Sequence, residues 1–94
     1  MKIMKFECDD RYEAEKLSSL VSVQKDNTVW VAGVEAVIGN EIVIKLKDKS
    51  AHAVVLKDKE NVGRLQSLLA DIVDGKVKIH SSDFSGAMAE ITID

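Results

Sequence analysis

The residues of this chain that could do covalent chemistry are one cysteine, Cys8, two histidines, His52 and His80, and the run of residues 80–83. That run reads His-Ser-Ser-Asp, the residue types of a hydrolytic triad. Chain neighbours rarely line up as nucleophile, base and orienting acid, and no Gly-x-Ser-x-Gly turn surrounds either serine. We interpret residues 82–86 as a loop in which Ser and Asp turn the chain.

The remaining candidates for chemistry have simpler structural explanations. The cysteine and the histidines lack CxxC or HxxxH spacing, so they do not form a metal-site pattern. Cys8 is expected on the apolar face of a strand, where a thiol is inert. The paired acids Asp9–Asp10 and Glu13–Glu15 suit a helix start or a solvated surface. The sequence therefore predicts no catalytic residue, no metal and no cofactor, and the chain is not expected to be an enzyme.

The elements that position these residues repeat at an offset of 48 residues. Shifting the second half back by 48 places Asp58 on Asp10 and Leu65 on Leu17. The apolar faces of the strands agree at the same offset, with Val77 falling on Val29. We interpret residues 1–48 and 49–94 as pseudo-repeats of a single domain, 1–94. The alternative is that two amphipathic helices look alike by chance.

Each half has the pattern β-α-β-β. Alternation and helical periodicity predict helices over 11–22 and 59–74, capped by Asp10 and Asp58, and strands over 2–8, 28–38, 41–47, 51–57, 77–79 and 89–93. Turns are expected at Asp26–Asn27 and Gly39–Asn40. We predict an α+β fold, in which two tandem β-α-β-β units form one mostly antiparallel sheet of about six strands with two helices on one face. This element order is similar to that of the duplicated βαββ modules of GyrI-like small-molecule-binding proteins; the likeness concerns fold alone.

Strand 28–38 differs from the others because both of its faces are largely apolar. A two-residue turn after it would pair Glu35 with Ile44 in the core, whereas a three-residue loop would pair Ala36 with Ile44. A slip of one residue exchanges the faces of a strand. A β-bulge near Gly33 reconciles an apolar start with an apolar end, because the extra residue changes the alternation midway.

With that bulge, the open face of the sheet receives Trp30, Ala32 and Val37. Burying an exposed tryptophan stabilises an interface by about 2–3 kcal/mol or more. The sequence therefore predicts a partner-binding surface with these three residues as anchors. The alternative is that Trp30 lies in the core, which is the commoner position of a single tryptophan.

A second candidate surface consists of basic residues that could share the open face: Lys45, Lys47, Lys76, Lys78 and His80. Lysines beside an aromatic residue are found on sheets that bind single-stranded nucleic acid, and they could also hold an anionic small ligand. The chain has one tryptophan and no RNA-binding motif, and its net charge is −3, so nucleic acid is an unlikely partner.

Composition supports a small non-enzymatic module. The chain has 94 residues, and a single cysteine cannot form an internal disulfide, so we expect a cytoplasmic protein. No apolar run approaches the roughly 18 residues of a membrane span, and no signal peptide is apparent. We expect a regulatory or accessory protein that binds a protein partner, or itself as a homodimer, through the open sheet face around strand 28–38.

Overall fold

The computed structural model describes residues 1–22 and 30–94. Over these ranges the chain forms two helices and six strands in the order β1 Lys2–Glu7, α1 Arg11–Ser22, β2 Val31–Ile38, β3 Glu41–Leu46, β4 Ala51–Val55, α2 Lys59–Val73, β5 Ile79–Ser85 and β6 Met88–Ile93. The order β-α-β-β-β-α-β-β confirms the predicted α+β class. The predicted turn at Asp26–Asn27, the start of the strand at residue 28 and the match of Val29 with Val77 lie outside the described residues.

The predicted single six-stranded sheet is wrong. The described strands form two antiparallel sheets of three, which we call sheet A, in the order β1-β6-β5, and sheet B, in the order β2-β3-β4. The two sheets meet at one isolated bridge between Cys8 and Leu56. Around it, Asp9 N donates to Val55 O (2.9 Å) and Lys57 N donates to Glu7 O (3.0 Å). The sequence could not show that β1 and β4 overlap only at these ends.

Beyond the bridge, each helix covers the inner edge of the first strand of the other half. In α2, Asn61 Oδ1 accepts from Glu7 N (3.0 Å), and Arg64 Nη1 donates to Lys5 O (2.9 Å). Side chains that bond to an otherwise unpaired strand edge satisfy its backbone groups and prevent further pairing. Where the two sheets meet, helix side chains therefore bond to the strand edges in place of a continuous strand ladder.

The same arrangement recurs in α1 at an offset of 48 residues. Glu13 Oε2 accepts from Val55 N (3.2 Å), and Lys16 Nζ donates to Ala53 O (2.8 Å). The offset relates Glu13 to Asn61 and Lys16 to Arg64. The two interactions thus use different residue types, a carboxylate with a lysine and an amide with an arginine, to bond to equivalent backbone atoms.

Both predicted helix starts are confirmed by capping bonds. Asp10 Oδ1 accepts from Glu13 N (2.9 Å), and Asp58 Oδ1 accepts from Asn61 N (2.9 Å). A carboxylate at this position satisfies one of the unpaired amides of the first helical turn. Helix α1 packs mainly on β5 and β6, and α2 packs mainly on β2. The apolar stripes of the helices and the inward faces of the strands form one core cluster that includes Phe6, Leu17, Ile44 and Leu65.

The hairpin after β2 has a register that neither simple turn provides. A two-residue turn at Gly39–Asn40 pairs Val37 with Ile42, and then the register shifts so that Val34, not Glu35, lies opposite Ile44. A second shift lies between Val31 and Gly33, which confirms the bulge predicted near Gly33. The two bulges keep the carboxylate out of the core, because Glu35 is the residue left out of the pairing.

The loop predicted over residues 82–86 is wrong. Strand β5 continues through Ser85, and only Gly86 and Ala87 separate it from β6. The polar residues are accommodated because Ser82 Oγ donates to Ser18 O (3.0 Å) on α1, while Asp83 is exposed and its Oδ1 accepts from Phe84 N (2.8 Å). A strand with one solvated face can consist largely of Ser and Asp, and its sequence then looks like that of a loop.

Candidate interaction surface

The open face of sheet B, on the side away from the core, is mostly apolar. Residues directly opposite each other in an antiparallel pair share a face, so the register identifies its members. They form three rows across the strands: Gly33–Lys45–Ala51, Ala36–Val43–Ala53 and Ile38–Glu41–Val55. The central row carries only small apolar side chains. Ile38 at one corner is 66% exposed.

The open face of sheet A has the same geometry and the opposite chemistry. Its rows are Ser81–Thr92–Ile3, Asp83–Glu90–Lys5 and Ser85–Met88–Glu7. The central row here carries three charges where sheet B has two alanines and a valine. A polar face of this kind is solvated, as an antiparallel sheet with one buried side requires. Sheet B lacks that alternation, and its open face is therefore the candidate interaction surface.

Charges on the candidate surface lie along the central strand β3. Glu41 and Lys45 are two residues on either side of Val43, and all three side chains are half-buried. Lys45 Nζ lies 3.7 Å from Glu35 Oε1, and both side chains are nearly half exposed, so this ion pair contributes little to stability. The lysine is therefore free to bond to another acceptor at small cost.

The outer edge of sheet B is less suited to binding than its face. β2 is the outer strand, and the shifts between Val31 and Gly33 and between Val34 and Ala36 interrupt its ladder. Bulges twist an edge strand and discourage a further strand from pairing with it. A partner would therefore meet the side chains of the face rather than extend the ladder.

Two of the three predicted anchors, Trp30 and Val37, have different positions from those expected. Trp30 precedes β2, outside the strand alternation, and its half-buried ring packs against the core. Its carbonyl accepts from Lys47 N (2.9 Å). Val37 lies opposite the buried Ile42, so it belongs to the helix side, where it remains 42% exposed at the margin. The expectation that both residues point to the open face is wrong. Trp30 lies before the strand begins, and the extra bulge at Glu35 moves Val37 to the opposite face.

Ala32 is exposed and is the unpaired residue of the first bulge. Ala32 and Val37 are therefore the predicted anchors that remain exposed, and Val37 lies on the helix side. The side chains of Ile38, Val43 and Val55 form the larger part of the surface, and the anchor prediction missed them. The sequence does indicate this surface at the odd-numbered positions of β3 and β4. Val43, Ala53 and Val55 alternate with buried residues, so they point outward, and yet they are apolar.

The five basic residues predicted as an alternative site belong to different sheets. Lys45 lies on the open face of sheet B and Lys47 is exposed just after β3. Lys76 and Lys78 are exposed between α2 and β5, and His80 is exposed at the start of β5 in sheet A. The structure therefore distributes these residues between two sheets and does not assemble them in one row.

Residues with reactive side chains are engaged elsewhere. Cys8 is 3% exposed, and burial together with the nearby carboxylates of Glu13 and Asp10 raises the pKa of its thiol to about 11. Such a thiol is almost entirely protonated at neutral pH and is a poor nucleophile. Residues 80–83 lie in succession along β5, so their side chains alternate between faces and cannot form a triad.

A polar cluster follows β3. Asp48 Oδ1 accepts from Ser50 Oγ, and Ser50 Oγ lies 2.9 Å from His52 Nε2. The hydrogen bonds from Ser50 lower the pKa of Asp48. The serine stands between the carboxylate and the imidazole, whereas a hydrolytic triad needs the imidazole in the middle. The bond from Ser50 N to Asp48 Oδ1 (2.8 Å) shows that the cluster closes a turn.

Two open grooves flank α2. One, of about 350 Å³, lies against β1 and is lined by residues that include Lys2, Met4, Arg64 and Asp71. The other, of about 260 Å³, lies against β2. Within residues 1–22 and 30–94, no three His, Cys, Asp or Glu side chains come close enough to hold a metal ion. In the same part of the chain, neither helix is long and apolar enough to cross a lipid bilayer.

Comparisons with protein-family models, with curated proteins and with solved structures found no match to this chain.

Proposed function

We propose that this chain is a small non-enzymatic interaction module that binds a protein, either a partner or a second copy of itself, through the open face of sheet B. The observation that carries the proposal is the central row Ala36–Val43–Ala53. An uncovered row of this kind leaves apolar area in water on a face that antiparallel sheets usually keep polar. Apolar surface next to charged margins is typical of protein interfaces.

The surrounding geometry supports a protein as the ligand. The two open grooves lie beside α2, whereas the open face of sheet B is formed by the side chains of three neighbouring strands, which suits an extended protein surface better than an enclosed small molecule. The nearby charges, Glu35, Glu41 and Lys45, have both signs, whereas a nucleic-acid site needs a basic surface. We place the module in the cytoplasm because its single cysteine forms no internal disulfide, and we assign it a regulatory or accessory role.

The test is to place a lysine at the centre of this face and, as a control, on the central strand of the other open face, in the row next to its centre. Val43→Lys and Thr92→Lys both change a half-buried side chain on the central strand of a three-stranded sheet. Lys45 occupies the position equivalent to Thr92, so the fold accepts lysine there. Circular dichroism would establish that both variants remain folded.

Two assays read the outcome. Light scattering measures self-association, and capture on immobilised protein followed by mass spectrometry measures binding of other proteins. We expect association in at least one assay for wild type and Thr92→Lys, and its loss for Val43→Lys. If Val43→Lys behaves like wild type in both assays, the open face of sheet B is not the binding surface and the proposed function is wrong.

A further inference from the structure

We infer that the open face of sheet B binds the same face of a second copy, in a dimer whose two-fold axis runs along the row Ala36–Val43–Ala53. This inference rests on the proposed function and names the partner. In such a dimer, each residue on one side of the axis meets a residue on the other side in the second copy. The pairs that result can be derived from the register of β2, β3 and β4.

Charge is the first property that matches. A rotation about the central row places β3 antiparallel to β3 of the second copy, with Val43 above Val43. Glu41 and Lys45 lie at equal distances along the strand on either side of Val43. Each glutamate therefore meets the lysine of the other copy, and the contact occurs twice. Like-charged residues would face each other if the strands were parallel, so the charges also select the orientation.

Size is the second property that matches. The same rotation places Ile38 of one copy above Gly33 of the other, and Val55 above Ala51. At both corners a larger side chain meets a smaller one, which is what lets two sheet faces interdigitate. The axis itself lies between the two faces, above Ala36, Val43 and Ala53, whose small side chains permit close approach.

The area of the face limits how tight the dimer can be. Three strands about 4.8 Å apart and five residues long cover roughly 14 by 17 Å. Stable dimers bury about 800 Å² of accessible surface on each partner. The accessible area of this face is smaller, even though protruding side chains make it larger than the projected area. We therefore expect a weak dimer, with a Kd on the order of 100 μM.

The charge pattern gives a test that separates this dimer from other associations. Glu41→Lys leaves two lysines on each face, and Lys45→Glu leaves two glutamates. Each variant alone should dimerise at least tenfold more weakly, because both contacts become repulsive. An equimolar mixture of the two variants should associate again, since every lysine then meets a glutamate. The double variant, with the charges exchanged, should dimerise as wild type does.

Sedimentation equilibrium from about 10 μM to about 1 mM brackets the expected Kd. Recovery of association in the mixture would support the dimer, because a general loss of folding cannot produce it. A monomeric wild type over this range would overturn the inference, and so would dimers that are unaffected by either substitution. If the wild type is monomeric but captures another protein that Val43→Lys does not, the proposed function stands without the second copy.

Discussion

Sheets A and B have the same strand pairing and equivalent buried rows, and they differ in the residues of their open faces. Their buried rows correspond, with Ile42, Ile44 and Leu46 of β3 matching Ala89, Ile91 and Ile93 of β6 at an offset of 47 residues. Their open central rows are Ala36–Val43–Ala53 and Asp83–Glu90–Lys5. Packing restricts the first set and leaves the second free to vary. The open faces are thus where the two halves can have separate roles.

The strand pairing also explains why equivalent residues of the two halves are 48 positions apart up to the middle of β2 and 47 positions apart after it. Both outer strands have a bulge at their start, between Val31 and Gly33 in β2 and between Ile79 and Ser81 in β5. Only β2 has the additional bulge at Glu35, and it accounts for the one extra residue. Internal duplication remains a prediction about origin. The matched pairings show that the two halves meet the same structural requirements.

The largest expected effects on the free energy of unfolding come from substitutions in the buried core that the two halves share. Leu17 on α1 and Leu65 on α2 occupy equivalent positions, and both are fully buried. Leu17→Ala and Leu65→Ala should each lower the free energy of unfolding by about 2–5 kcal/mol, because each removes buried apolar volume. Denaturant unfolding, followed by circular dichroism and by Trp30 fluorescence, would measure the loss in both halves.

The same experiment tests whether the sheets form one folding unit. Trp30 packs on the core next to sheet B, whereas Leu17 is on the buried face of α1, the helix that covers sheet A. For Leu17→Ala we expect the fluorescence and circular dichroism transitions to coincide, as in two-state unfolding. Separate transitions would show that the sheets unfold independently. The bridge and the helix side chains would then be too weak to couple them.

The junction between the sheets distinguishes the halves in their response to alkali. Cys8 and Leu56 are equivalent and face each other in the bridge, but only the cysteine titrates. Its pKa in the folded protein is about 11, against an ordinary value of 9.0. Because folding raises this pKa, the unfolded chain loses its proton first. The stabilisation is complete below pH 9 and is lost as the pH rises from about 9 to 11.

We expect this loss to reach about 2–3 kcal/mol by pH 11. The measurement is the free energy of unfolding at several pH values for the wild type and for Cys8→Ala. The variant should be less stable at pH 7, but it should lack the part of the alkaline decline that the thiol causes. Parallel pH profiles for the two proteins would contradict the assigned effect of burial.

Sequence reasoning succeeded where a residue has one strong local requirement. Asp10 and Asp58 were identified as helix caps because the first helical turn needs acceptors for its amides. The bulge near Gly33 followed from the conflict between two apolar ends of one strand. The bulge at Glu35 could not be predicted, because the register of β2 is fixed by its pairing with β3 as well as by the turn.

Long-range arrangement accounts for the other differences. Residues 82–86 are predicted as a loop, although β5 continues through Ser85, because Ser82 depends on Ser18 of a distant helix for its hydrogen bond. The split into two sheets depends on Asn61 and Arg64 reaching β1 from the other half. The residues of the candidate surface could not be identified without the register, because only the strand pairing shows that Ile38 and Val43 lie on the same face.

The smallest effects on stability, and the sharpest test of the comparison, come from exchanging the central residues of the two open faces. Val43 and Glu90 occupy equivalent half-buried positions on β3 and β6. Val43→Glu and Glu90→Val should each change the free energy of unfolding by about 1 kcal/mol or less, because each position accepts the other residue type in its sister sheet. Thermal unfolding would measure these changes.

Association should respond to position and not to composition. Val43→Glu should abolish the binding assigned to sheet B, whereas Glu90→Val should create none, because Lys5 and Asp83 keep the centre of the other face charged. The double variant Val43→Glu/Glu90→Val has the composition and net charge of the wild type. Its failure to associate in light scattering would therefore locate binding on the face of sheet B. If it associates as the wild type does, overall hydrophobicity and charge control association, and the difference between the two faces has no functional meaning.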